Sequence, residues 1–159
     1  MSRNANRFST LSSHGLTAID GGALKSQSPD LGAMLSATLD GARRLGQVEI
    51  VAALDPAPAL PRNVAHELLR IAQEAIANAA RHACARILRV RLSSIPGVVW
   101  LAITDDGRGF EPAGVQSGFG LQRLRERAAA IGAELSINSA PGKGAEVVVW
   151  SSLEQAEAA

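Results

Sequence analysis

The sequence predicts an α/β (α+β) two-layer sandwich, a mixed, mostly antiparallel sheet of about five strands with helices on one face. Apolar residues recur at helical spacing in three segments, and five shorter segments read as strands. They follow in the order helix, strand, helix, two strands, helix, two strands, which favours hairpins covered by helices from one side. The 159 residues suffice for one domain with a sizeable core and are too few for two comfortable ones.

Residues 1–29 are rich in Ser, Asn and Gly without sustained periodicity and read as a flexible tail or linker. The folded unit is expected over 30–152, with a disordered end at 153–159. In 30–46, Leu31, Leu35, Leu39 and Ala42 fall on one helical stripe, with Gly46 as the stop. A strand is expected over 48–54, closed by Asp55-Pro56-Ala57-Pro58. Pro61 opens the longest helix, reaching about Ala83, because a first-turn N–H has no intrahelical partner to lose. Val64, Leu68, Ile71, Ala72, Ala75 and Ala79 cluster on one broad face of it. Glu67, Arg70, Glu74, Asn78 and Arg81, spaced 3, 4, 4 and 3, make one polar stripe. Glu74 and Asn78 stand at its margin, where side chains face the rim of a groove.

Two strands follow as a hairpin, the first over 87–92, with Ser94-Ile95-Pro96-Gly97 as the turn. On the second, Val99, Leu101, Ile103 and Asp105 share one face. Three apolar residues in register turn that face to the core, so Asp105 points inward at the strand's end. An unpartnered carboxylate there is costly, and a ligand amine would relieve it. Residues 121–131 form a helix with Leu121, Leu124, Ala128 and Ile131 on one stripe and Gly132 as its stop. A last hairpin pairs 134–139 with 146–150 around Pro141-Gly142-Lys143-Gly144.

A formal net charge of +1 gives no reason to expect nucleic acid or an acidic surface as partner. The single cysteine, Cys84, excludes a framework of internal disulfides and fits a reducing cytosol. Apolar runs such as 98–103 fall far short of a membrane span, and the N-terminus lacks the apolar core of a signal peptide. The expectation is a cytoplasmic module without direct membrane insertion, which leaves a membrane-anchored parent open.

Residues 103–121 read ITDDGRGFEPAGVQSGFGL. A strand-end carboxylate followed by two glycines suits an exocyclic amine such as that of adenine. The second glycine pair, Gly118-Phe119-Gly120, opens a helix, whose N-terminal N–H groups and partial positive charge suit phosphates. With the amide-bearing helix upstream, this order points to ATP.

Here the residues resemble a family. Glu74 to Asn78, in QEAIANAARHA, looks like the N-box of the GHKL ATPase superfamily with its Bergerat ATP-binding fold. Asp105-Asp106-Gly107-Arg108-Gly109 resembles the G1 box, and Gly118-Phe119-Gly120-Leu121 the G2 box. Gly142-Lys143-Gly144 sits where the last glycine motif belongs. The stretch GLQRLRERAAAIGAELSINSAPGKGAEV is similar to bacterial two-component sensor histidine kinases of the nitrate- and stress-sensing subfamily. The resemblance spans roughly residues 31–149.

It implies that Asn78 ligates Mg2+ through its side-chain oxygen and that Asp105 accepts from the adenine amine. Gly107 and Gly109 let the chain turn beside the base. Gly118, Phe119, Gly120 and Leu121 present N–H groups to phosphates. Arg81 matches a phosphate-contacting basic position, and Glu74 one that lies near the metal and the incoming acceptor. The implied function is Mg·ATP binding and delivery of the γ-phosphate to a histidine on a dimerisation domain, with a response regulator downstream. A non-catalytic nucleotide-binding module and an anti-sigma-type serine kinase share the same boxes.

Two departures stand out. The relatives' Gly-x-Gly-Thr ends here in Ala145, and one lost hydrogen bond weakens binding by roughly 0.5–1.5 kcal/mol. His14, His66 and His82 all lack the setting of a phosphoacceptor, so the acceptor is expected upstream of this chain. Of the remaining candidates, Arg123, Arg125 and Arg127 read as a solvated face with Glu126, and Trp100 and Trp150 as packing residues. His82 reads as a charge partner at the helix C-terminus, and Cys84 as an inert thiol.

Overall fold

Helix α1 (Leu31–Leu45) begins where Asp30 Oδ1 accepts the N–H of Ala33 at 3.2 Å, and ends at Gly46 in the left-handed region. These caps satisfy backbone groups that a helix leaves unpaired. The computed structural model describes residues 29–111 and 119–152. The tail expected before residue 29, the end expected after 152 and Gly118 lie outside them.

Strand β1 (Glu49–Leu54) leads into α2 (Arg62–Asn78), which Pro61 precedes as expected. The helical path continues to Ala83 as a π turn (Ala79–Ala83), closed by Cys84 at φ 51°. Strand β2 (Ile87–Ile95) outruns its expected end, because the hairpin turn narrows to Pro96-Gly97 before β3 (Val98–Asp105). Gly97, at φ 81°, supplies the positive φ that the second position of a Pro-Gly turn requires. Helix α3 (Phe119–Ala130) ends in a Schellman motif: Ala133 N–H reaches the Ala128 carbonyl and Gly132 N–H that of Ala129. Strands β4 (Glu134–Ser139) and β5 (Ala145–Ser152) complete the chain.

The sheet runs β1-β2-β3-β5-β4, with β1 parallel to β2 and every other pair antiparallel. The one parallel pair follows from the α2 crossover, and the hairpins make the rest antiparallel. Leu88, Val90, Leu92, Val99, Leu101, Ile103, Val147 and Val149 bury the inner face. Against it pack Leu31, Leu35 and Leu39 of α1, Val64, Leu68, Ile71, Ala72, Ala75 and Ala79 of the α2 path, and Leu124, Ala128 and Ile131. The expected stripes are therefore the core. Burying each large aliphatic side chain is worth about 1.5–3 kcal/mol.

Trp100 and Trp150 are register partners on the outer, half-exposed face, and the Arg91 guanidinium lies 5.3 Å above the Trp100 ring. One expectation changes. Arg127 leaves the solvated face to pair with Glu67 of α2 at 2.8 Å. No helix among the described residues is long and apolar enough to cross a membrane.

Candidate nucleotide-binding site

The open end of the sheet, where β3 stops and β5 starts, meets the end of α2 and the start of α3. There lies a cleft of about 320 Å³, at the lower end of the range for small-molecule sites. Asn78, His82 and Ala83 form its α2 side; Asp105, Arg108, Gly109 and Phe110 come from the end of β3 and its loop. Gly120 and Leu121 of α3 and Ala145 of β5 close it.

Asp105 is half-buried, as its place at the end of an apolar register requires. Its Oδ1 accepts the Gly107 N–H at 2.9 Å, which orients the carboxylate at the cleft wall. A carboxylate has capacity for further donors beyond that one. Gly107 itself is buried behind this wall. Ala145 is the register partner of Asp105, so a methyl lies beside the carboxylate where relatives are expected to carry a hydroxyl.

The loop after Asp105 is tied on three sides. Asp106 Oδ1 accepts from Arg86 and Ile87 N–H, each at 2.8 Å. The Ile87 bond, with that from Arg86, holds the Asp106 carboxyl below its ordinary value. Arg108 N–H reaches the Ala83 carbonyl at 2.7 Å, and Gly142 N–H the Arg108 carbonyl at 2.6 Å. Ser139 links the last side: its Oγ accepts from Phe110 N–H at 2.9 Å and donates to the Gly144 carbonyl at 2.7 Å. Gly109 sits at φ 60°, and a Cβ there would run into the carbonyls of Ala140 and Gly144, so only glycine fits.

At the opposite wall, Glu74 and Asn78 meet the first turn of α3. A Cβ on Gly120 would stand 2.9 Å from Glu74 Oε1 and 3.4 Å and 3.5 Å from the two Asn78 amide atoms. The missing side chain lets the helix N-terminus come against both polar groups. Glu74 forms no ion pair with Arg70 or Arg81; among the described residues the ion pairs are Arg43–Asp40 and Arg127–Glu67.

The structure thus brings Asn78, Asp105, Gly109, Gly120 and Leu121 to one cleft, with Glu74 against Gly120 and Gly107 behind Asp105. Phe119 opens α3, and Gly118 lies outside the described residues. Arg81 does not join them: it lines a separate hollow of about 230 Å³ beside Thr38, Ala42 and Leu45 of α1. The π turn is the reason. A wider turn advances less than about 100° per residue. The third residue after Asn78 then falls behind the cleft face while the fourth, His82, stays on it. The spacing of four from Asn78 was the signal for His82. Nothing in the sequence marked Arg108, Phe110 or Ser139 beyond their place in the glycine loops.

Fold and cleft define the class: a two-layer sandwich with a small-molecule cleft at the open end of its sheet. The chain belongs to the histidine kinase-, DNA gyrase B- and HSP90-like ATPase family, whose model matches residues 63–155. It is 35% identical over 99 residues to the sensor protein VraS of Staphylococcus epidermidis, covering 62% of this chain and 28% of that protein. VraS of Staphylococcus aureus is 35% identical over 97 residues, 60% of this chain and 28% of the relative. The chain thus spans little more than a quarter of these relatives. The fold matches the histidine kinase domain of the blue-light activated kinase of Erythrobacter litoralis EL346. That match has a TM-score of 0.73 at 23% identity, over 83% of this chain and 65% of the other. The mycobacterial sensor histidine kinase MprB matches with a TM-score of 0.61 at 22% identity, over 78% of this chain and 95% of that one. The family match gives the chain its ATPase-family membership, and the solved structures share its fold.

Proposed function

We propose that this chain is the catalytic part of a two-component sensor histidine kinase of the nitrate- and stress-sensing subfamily, acting in the cytoplasm. It binds Mg·ATP and delivers the γ-phosphate to a histidine on a dimerisation domain, from which a response regulator receives it. The contact of Gly120 with Glu74 and Asn78, across the cleft from Asp105, carries this reading. It sets a base-recognising carboxylate at one end and hard oxygen donors beside a helix N-terminus at the other.

Asp105 accepts from the adenine amine and selects the base. Backbone N–H groups of residues 118–121 hold the phosphates at the start of α3. His82, rather than Arg81, lines the cleft. No group of three His, Cys, Asp or Glu converges among the described residues. One amide oxygen suits an ion that draws its other ligands from phosphates and water, as Mg2+ does. Asn78 would be its protein ligand; bound there, it would neutralise charge on the transferred group. Glu74, against Gly120, would lie near the metal and the incoming acceptor. Phosphoryl transfer rests mainly on positioning and charge stabilisation, which this small set of groups supplies.

With a separate acceptor domain supplied, Asn78→Ala is expected to slow phosphotransfer by roughly 10–100-fold or more, as loss of a metal-site interaction does. Transfer at the unaltered rate would sink the assignment. Ala145 beside Asp105 favours, as a second reading, a module that senses nucleotide without turnover. Absence of any phosphorylated acceptor would move that reading ahead. Acid-stable product would point to the anti-sigma-type serine kinase instead, since phosphohistidine is acid-labile.

A further inference from the structure

The arginine run of α3 contributes nothing to the cleft, yet one of its members is fixed. Arg127 Nη1 donates to Glu67 Oε2 at 2.8 Å, with the two side chains only 30% and 26% exposed. Glu126, the nearer carboxylate in sequence, instead accepts from Gln122 at 2.7 Å.

Glu67 precedes Glu74 by seven residues on α2, and Arg127 follows Gly120 by seven on α3. Seven residues are about two turns, or ~10.5 Å of helix. Gly120 lies against Glu74, and Arg127 against Glu67. The helices therefore run antiparallel and touch at two points along one seam, the first at the cleft and the second two turns away.

Between those points both helices carry buried apolar side chains, Leu124 on α3 and Leu68 and Ile71 on α2, and the two helices pack together. Apolar burial is non-directional and sets register only through side-chain fit. A charge-assisted hydrogen bond has a defined length and direction. A slip of α3 by one residue along its axis shifts its N-terminus by about 1.5 Å, enough to break hydrogen bonds of ~2.9 Å.

We propose that the Arg127–Glu67 pair is a register lock that sets where the N-terminus of α3 stands relative to Glu74 and Asn78. Both are positioning residues: they tune phosphate recognition from the far end of the helix without touching the nucleotide. The inference rests on the reading of the cleft as an ATP site.

The test compares two ligands, adenosine and a non-hydrolysable ATP analogue with Mg2+, by NMR titration. The proteins are the unaltered chain, Glu67→Gln, Glu67→Arg, Arg127→Glu and the charge-swapped double variant. Each single variant is expected to weaken the ATP analogue by roughly threefold to tenfold. Adenosine affinity stays unchanged, because Asp105 on β3 holds the base, and the swapped double variant recovers most of the loss. Melting temperatures without ligand are read alongside. A lowered melting temperature with the ratio of the two affinities unchanged would make the pair merely structural and overturn the lock. Should the reversed charges prevent folding, Glu67→Gln keeps the side-chain shape and gives the same ratio. An unaltered chain that bound neither ligand would remove the cleft reading and the lock together. Binding by the unaltered chain with an unshifted ratio in the variants removes the lock alone.

Discussion

Gly120 shows how much of this site is decided by a side chain that is not there. In a helix, glycine costs about 1 kcal/mol relative to alanine, so propensity argues for replacing it. The structure argues the other way, because a Cβ would stand 2.9 Å from Glu74 Oε1. That oxygen is the end of a flexible side chain and can swing aside at small cost. Gly120→Ala is therefore expected to leave the melting temperature within a few degrees of the unaltered chain, since the propensity gain offsets the displacement. ATP affinity should nevertheless fall, because Glu74 and the first turn of α3 no longer share their places. Paired calorimetric and melting measurements check this; a parallel loss of stability and affinity would mean the glycine serves the fold.

At the scale of elements, the loop after β3 is held by backbone and side-chain bonds from β2, the π turn and the β4–β5 turn. Asp106 is the clearest contributor. Its folded-state carboxyl is held below the ordinary value of 3.8 by N–H groups of Ile87 and Arg86. Its contribution to stability is accordingly present above that value and is lost as pH falls through the lower, folded-state one. Asp106→Asn should flatten the acid limb of the stability profile below about pH 4 while leaving the profile near neutrality parallel. Urea midpoints across that range test it, and an unchanged acid limb would assign the acid sensitivity elsewhere. The helices, the strands and the inward turn of Asp105 were legible because periods of 3.6 and 2 survive into the buried faces. The π turn was not, because AARHA reads as ordinary helix, and so His82 lines the cleft where Arg81 was expected. Arg127 escaped the same way: a run of charges shows which face of a helix is polar, not which neighbouring helix supplies a partner.

For the whole molecule, the site depends on bringing together the ends of separate elements. The sheet carries Asp105 and Ala145, α2 carries Glu74 and Asn78, and α3 brings its N-terminus to them over a shared core. The outer face, with Trp100, Trp150 and Arg91, takes no part in the cleft. ATP binding should stabilise the fold by mass action, since an unfolded chain has no such junction. The most direct test is calorimetric titration of the chain with a non-hydrolysable ATP analogue, with and without Mg2+, beside Asp105→Asn. Binding that tightens with Mg2+ and weakens roughly tenfold or more in Asp105→Asn is the predicted result, the size expected for a hydrogen bond to a charged group. Binding that ignores both the ion and Asp105, or no binding at millimolar analogue, would contradict the account.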